Sequence, residues 1–143
     1  MRLFVTGGCG FIGSNFVRHA LRARPEATIA NVDVLTYAGN PANLEGIPEK
    51  YGARYSFHRA DIADAPAMQA VFDQGPFGAV VNFAAESHVD RSIDSPQNFI
   101  HTNVVGTSVL LNAARAAGVK RFLQVSTDEV YGSLDQNGLF TEA

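Results

Sequence analysis

At 143 residues, with 11 basic and 14 acidic side chains and a formal charge of −3 at pH 7, the chain suits one domain with one substantial core. The charges are spread along the sequence, which excludes a basic stripe for nucleic acid and a polybasic membrane patch. A single cysteine (Cys9) excludes an internal disulfide framework, and neither a signal-peptide pattern nor the ~20-residue apolar run of a membrane span is found, so the composition predicts a soluble cytoplasmic protein.

Short β-prone runs alternate with helical ones. The first strand is predicted at Arg2–Thr6, followed by a glycine-rich turn and a helix over Phe11–Arg22. A second strand, Thr28–Val34, leads into Thr36–Lys50, whose Gly39, Pro41, Gly46 and Pro48 mark it mostly as loop. A third strand at Tyr55–Arg59, a helix at Ala65–Asp73 and a fourth strand at Ala79–Phe83 follow. The helix expected over Pro96–Ala117 has Asp94 or Ser95 as its N-cap, Pro96 in its first turn and Gly118 just past its end. Phe99, Leu110, Ala113, Ala114 and Ala117 form its apolar stripe. The fifth strand, Arg121–Ser126, carries the run Phe122-Leu123-Gln124-Val125 and reads as buried. Strands apolar on consecutive residues and alternating with helices predict an α/β doubly wound parallel sheet.

Three features of this frame carry chemistry. Gly7, Gly10 and Gly13 lie between the first strand and the first helix, where glycines allow a tight turn and close backbone approach to a pyrophosphate. The helix beginning at Phe11 aims free N–H groups and its positive dipole end at such an anion. Asp33, closing the second strand 20 residues after Gly13, suits a carboxylate that accepts from an adenosine ribose. Val34, Leu35 and Thr36 follow it with no arginine to offset a 2′-phosphate, which favours NAD over NADP. The alternatives are a ligand-free turn and a turn-forming aspartate. The third feature is Ser126-Thr127-Asp128-Glu129-Val130-Tyr131-Gly132, which puts two carboxylates, a hydroxyl and a phenol at the end of a strand. It reads either as a solvated turn or as an acid and a base.

The spacing G-x-x-G-x-x-G resembles the extended short-chain dehydrogenase/reductase superfamily and its Rossmann-type sheet, here the first five strands in the order 3-2-1-4-5. Asp33-Val34-Leu35-Thr36-Tyr37-Ala38-Gly39-Asn40, the stretch Ala84–Ile93 and Ser126–Gly132 together are similar to the dTDP-glucose 4,6-dehydratases. That resemblance implies NAD-dependent removal of hydride from C4 of a nucleotide-linked hexose, loss of water across C5–C6 and return of the hydride to C6. It implies Glu129 as the base for the C5 proton, Asp128 as the acid for the C6 hydroxyl, and Thr127 bonded to the C4 hydroxyl. The backbone must turn after Ser126 for both carboxyls to reach one sugar, and crowding in a desolvated site would drive their pKa values apart.

The resemblance also implies that Phe11 and Ile12 offer N–H groups to the pyrophosphate and that Asp33, Val34, Leu35 and Thr36 surround the adenosine ribose. Asp61 and Ile62 would border the adenine. Phe83, Ala84, Ala85, Glu86 and Ser87 would line the cofactor, with Ser87 also touching substrate, and Thr102 would reach the cofactor from the long helix. Val34 departs from the family, where that position is often basic. So does the missing Tyr-x-x-x-Lys: Asp135 follows Tyr131 four residues on, and Tyr37, Tyr51 and Tyr55 have no such lysine. Tyr131 is therefore read as packing. The catalytic tyrosine and the substrate domain are expected beyond Ala143, in a homodimeric parent of which residues 1–143 are the N-terminal NAD-binding part. Its partners would be a nucleotide sugar, with no nucleic acid and no membrane. His19, His58, His88 and His101 show no metal spacing; His19 is expected on an exposed helix face, and Asp90 and Arg91 as a structural ion pair. A nucleotide-sugar 4-epimerase and a non-catalytic NAD-binding module remain the alternatives.

Overall fold

The computed structural model describes residues 1–88, 93, 95–134 and 138–141. Five parallel strands form one sheet: β1 (Arg2–Thr6), β2 (Thr28–Asp33), β3 (Tyr55–Arg59), β4 (Ala79–Asn82) and β5 (Phe122–Gln124). Their order is β3-β2-β1-β4-β5, the expected one. The register aligns Thr6 of β1 with Val32 of β2 and Asn82 of β4, so the C-terminal ends of the central strands finish together. The helices are α1 (Phe11–Ala23), α2 (Ile47–Tyr51), α3 (Ala65–Phe72) and a long α4. α4 joins an α-helical turn (Pro96–Phe99), a π-helical stretch (Ile100–Gly106) and a second α-helical stretch (Thr107–Ala116).

Successive side chains of a strand point to opposite faces, and β1 divides the core on that basis. Phe4 joins Val32, Val80, Met68, Phe72, Leu110 and Ala114 on the α3/α4 face, stacked on Phe72 at 4.2 Å between ring centres. Leu3 and Val5 join Val17, Leu21, Ile29, Leu44 and Ile47 on the α1 face. Covered on both sides, the central strands need no polar alternation.

Four expectations are corrected. Thr36–Lys50 is not mostly loop: a 3-10 turn at Pro41–Leu44 and the start of α2 occupy much of it. Pro41 and Pro48 start these turns, because a proline in the first helical turn forfeits no hydrogen bond, and the Asn40 side chain caps Ala42 N–H at 3.0 Å. β5 is not buried, since Leu123 is 56% exposed on an edge strand that no further strand covers among the described residues. The α4 stripe is buried at Leu110 and Ala114, but Ala117, the residue after the last helical one, is exposed. Finally, α4 is not uniformly α-helical, because a π-helical stretch interrupts it. Ser95 is its N-cap, with no side-chain bond, and Gly118 stands past its end at φ +70°, as its glycine suggests. Asp90, Arg91 and Asp94 lie outside the described residues.

Candidate functional site

The glycine turn fits its neighbours with little room to spare. Gly7 has φ +65°, and a Cβ there would lie 2.6 Å from the backbone nitrogen of Ala84. The turn is thus pressed against the chain leaving β4. A Cβ on Gly13 would collide with the Gly7 carbonyl oxygen, so this glycine seats α1 on the turn instead of facing the cleft. Gly8, which spacing alone did not single out, leaves no room for a Cβ beside the buried Asn31 side chain. Gly10 caps α1 without a side-chain bond. The first-turn N–H groups of Phe11 and Ile12, both on exposed residues, therefore have no intrahelical acceptor.

Asp33 is 8% exposed at the end of β2. Its Oδ2 accepts from Cys9 N–H and its Oδ1 from Leu35 N–H, each at 2.8 Å. Two backbone donors hold the carboxylate in place, and each oxygen keeps a lone pair for a further donor. Leu35 takes φ +62° to make this turn, the one positive value on a non-glycine residue among those described. Cys9 is buried, and burial with the nearby Asp33 charge pushes its thiol up to about 11. A thiol so protonated is packing, not a nucleophile.

A cleft opens over the C-terminal ends of β1, β2 and β4. Gly7, Gly10, Asp33, Val34, Thr36, Asp61, Ile62, Phe83, Ala84, Ala85, Glu86 and Thr102 line it, together with Val32, Ala38, Gly39 and Ala60. Most residues expected around a dinucleotide are therefore brought to one place from segments far apart along the chain. Phe11, Ile12 and Gly13 follow Gly10 in α1 but are not in this lining, and neither is Ser87, while Leu35 packs into the core on the α1 side. Asp61 is held from both sides: Oδ1 accepts from Ala63 N–H at 2.8 Å, and Oδ2 lies 2.9 Å from Nε2 of His101. His88 meets Tyr37 edge-on at 6.4 Å between ring centres, linking the segments that follow β4 and β2.

A second cleft shares a wall with the first. Ala84, Ala85 and Glu86 line both, and Ser87, Phe99, Asn103, Thr107, Gln124, Val125, Ser126, Thr127 and Glu129 complete the second. Asn103, on the π-helical stretch, holds the shared wall in two directions: its Oδ1 accepts from Glu86 N–H and its Nδ2 donates to the Glu86 carbonyl, both at 2.8 Å. No spacing in the sequence relates these residues, so reading the chain alone missed Asn103, Phe99 and Thr107. The turn required after Ser126 is present as a 3-10 turn over Asp128–Tyr131, with Thr127 as N-cap. Thr127 and Glu129 reach the cleft. Asp128 is not part of its lining and accepts from the Thr127 hydroxyl at 3.1 Å. Both carboxylates are exposed among the described residues. Tyr131 packs against Phe140 at 5.7 Å between ring centres.

Comparisons with known proteins bear on this geometry. The chain is 50% identical over 143 residues to dTDP-glucose 4,6-dehydratase 1 of Escherichia coli, covering 94% of this chain and 39% of that protein. The dTDP-glucose 4,6-dehydratase of Streptomyces griseus is 50% identical over 142 residues, covering 98% and 42%. Among solved structures, DesIV (dTDP-glucose 4,6-dehydratase) from Streptomyces venezuelae, with NAD and TYD bound, matches with a TM-score of 0.86 and 49% identity over 97% of this chain and 43% of that one. The UDP-glucose 4-epimerase of Thermus thermophilus, complexed with NAD, has a TM-score of 0.87 at 31% identity over 99% and 43%. The chain thus spans about two fifths of the length of these relatives. With the family model described as GDP-mannose 4,6 dehydratase matching residues 4–143, the chain belongs to that family.

Proposed function

We propose that this chain is the NAD-binding part of a dehydratase that converts a nucleoside-diphosphate hexose, dTDP-glucose foremost, to its 4-keto-6-deoxy product. The observation that carries this reading is the shared wall Ala84–Glu86, across which a dinucleotide in one cleft and a sugar in the other would meet. The residues present suit NAD. Gly7 and Gly10 keep the turn free of side chains, the N–H groups of Phe11 and Ile12 suit a pyrophosphate, and the pinned Asp33 has acceptors left for ribose hydroxyls. Val34 and Leu35 bring no cation to a 2′-phosphate. Thr36 would complete the ribose end, Asp61 and Ile62 would border the adenine, and Phe83 and Thr102 would flank the wall.

When bound, NAD supplies a store that takes hydride from C4 and returns it to C6. Thr127 holds the C4 hydroxyl, whose proton passes to a tyrosine of the complete protein, and Glu129 takes the C5 proton once C4 is a carbonyl and returns a proton to C5 as C6 is reduced. Asp128 protonates the C6 hydroxyl as it leaves as water, and Ser87 steadies the sugar from the opposite wall. For this Asp128 has to swing from Thr127 toward the cleft, and the carboxylates must be covered, which we assign to the substrate domain of the complete protein. Exposed Ile100, Val104 and Leu111 on α4 suit a homodimer contact, and the single, unpaired Cys9 suits a reducing cytoplasm.

The full-length protein incubated with dTDP-glucose should form a 4-keto-6-deoxy product with solvent deuterium at C5. Asp128→Asn and Glu129→Gln should each lower kcat by about 10²-fold or more. A product that keeps its C6 oxygen would make it a 4-epimerase. No turnover with any nucleoside-diphosphate hexose would leave only a binding module.

A further inference from the structure

Gln124, the last residue of β5, stands at the end of a side-chain ladder that crosses three strands, and the chemistry of that ladder has one direction. Ala84 N–H can only donate, and it lies 3.2 Å from Asn82 Oδ1 and 3.3 Å from Thr6 Oγ1. The Thr6 hydroxyl also donates to Asn82 Oδ1. The oxygen of the Asn82 amide must therefore face β1, which turns its Nδ2 toward β5, where it donates to Gln124 Oε1 at 2.7 Å. Gln124 is left with its oxygen inward and its Nε2 outward, 3.3 Å from the Val125 carbonyl.

Thr6 and Asn82 are fully buried, so neither can trade this ladder for water. Asn82 grips the end of β5 twice, through its side chain on Gln124 and through its carbonyl, which accepts from Val125 N–H at 3.1 Å. The turn that carries Thr127 and Glu129 begins two residues later. On the other side, the same Asn82 and Thr6 hold Ala84 at the head of the wall between the clefts. One buried amide thus references the second-cleft turn to the first-cleft wall, and Gln124 is the link on the turn's side.

We infer that Gln124 is a positioning residue, which acts through Asn82 to fix the Thr127–Glu129 turn against the wall shared by both clefts. This rests on the dehydratase reading above. The test uses the full-length protein with Gln124→Met, which keeps the length but loses the acceptor, and Gln124→Glu, which keeps an oxygen for Asn82 Nδ2. Gln124→Met should lower kcat about tenfold, since small displacements of reacting groups are costly. KM should stay within about twofold and bound NAD near that of the parent protein, while the melting temperature should fall by a few degrees because the buried Asn82 Nδ2 loses its acceptor. Gln124→Glu should recover kcat to within about threefold of the parent. An unchanged kcat in Gln124→Met, no recovery in Gln124→Glu, or a change confined to KM would each overturn the inference. An inactive parent protein would instead overturn the dehydratase reading itself.

Discussion

Replacing Gly7 by alanine tests the close approach on which the cleft depends, and Gly46→Ala is its internal control. Both glycines have positive φ, +65° at Gly7 and +77° at Gly46. At Gly46 nothing lies within 4 Å of the added Cβ, so only backbone strain is incurred. Left-handed backbone costs an L-residue about 1–2 kcal/mol. Lower entropy of the unfolded chain returns about 0.4–1 kcal/mol, so Gly46→Ala should cost about 0–1.6 kcal/mol. At Gly7 the same strain is joined by a Cβ lying 2.6 Å from Ala84 N and 2.7 Å from the Phe83 carbonyl carbon. Both are backbone atoms of a chain fixed by bonds to Thr6, so the turn cannot relax by a rotamer change. Overpacking of this kind costs about 1–3 kcal/mol more.

Unfolding free energies of the full-length variants, read from denaturant titrations, should therefore separate by about 1–3 kcal/mol. NAD titration should show binding lost in Gly7→Ala and unchanged in Gly46→Ala, because the displaced wall lines the first cleft. Equal destabilisation by the two substitutions, with NAD binding intact in both, would refute the claim that the turn and the β4 exit are in tight contact.

Asp33→Asn puts an amide NH2 where an oxygen now meets a backbone N–H. NAD should then bind at least about tenfold more weakly, as calorimetry would read, given the roughly 1–3 kcal/mol of an unsatisfied buried group. For Cys9 the sign is set by a folded-state pKa of about 11, above the ordinary value of 9.0. Below pH 9 the thiol is protonated in both states. Between 9 and 11 the unfolded chain has lost a proton that the folded one keeps, so stability should fall as pH rises through this window. Tyr55, raised chiefly by burial, adds to the same slope. Cys9→Ala should flatten it in pH-dependent melting curves. At about neutral pH the native protein should resist thiol alkylation, and rapid labelling would contradict the buried, protonated thiol.

Much of the fold could be read from the chain because its signals are local. The turn between β1 and α1, Pro96 and Gly118 bracketing α4, and the apolar runs of β1, β2 and β4 all act over a few residues. Thr36–Lys50 misled because proline is both a breaker and a starter of helices, and which role it plays depends on the residues it caps. The exposure of Leu123 among the described residues was equally hidden, since Phe122-Leu123 is as apolar as a buried strand. The π-helical stretch has no periodic signature in His101-Thr102-Asn103-Val104-Val105.

The sequence by itself determined the order of strands and helices, the glycine turn with Asp33, and the hydroxyl–carboxylate turn after β5. Only the tertiary structure decided that these belong to two clefts with one wall between them. It also decided that Asn103 grips Glu86 across 17 residues of chain, Gln124 meets Asn82 across 42, and Thr6 meets Asn82 across 76. The last two contacts follow from parallel register and sheet order, which bring together strand ends that are far apart along the chain, and the first from the packing of α4 over the segment after β4. Local propensity carries no record of that distance.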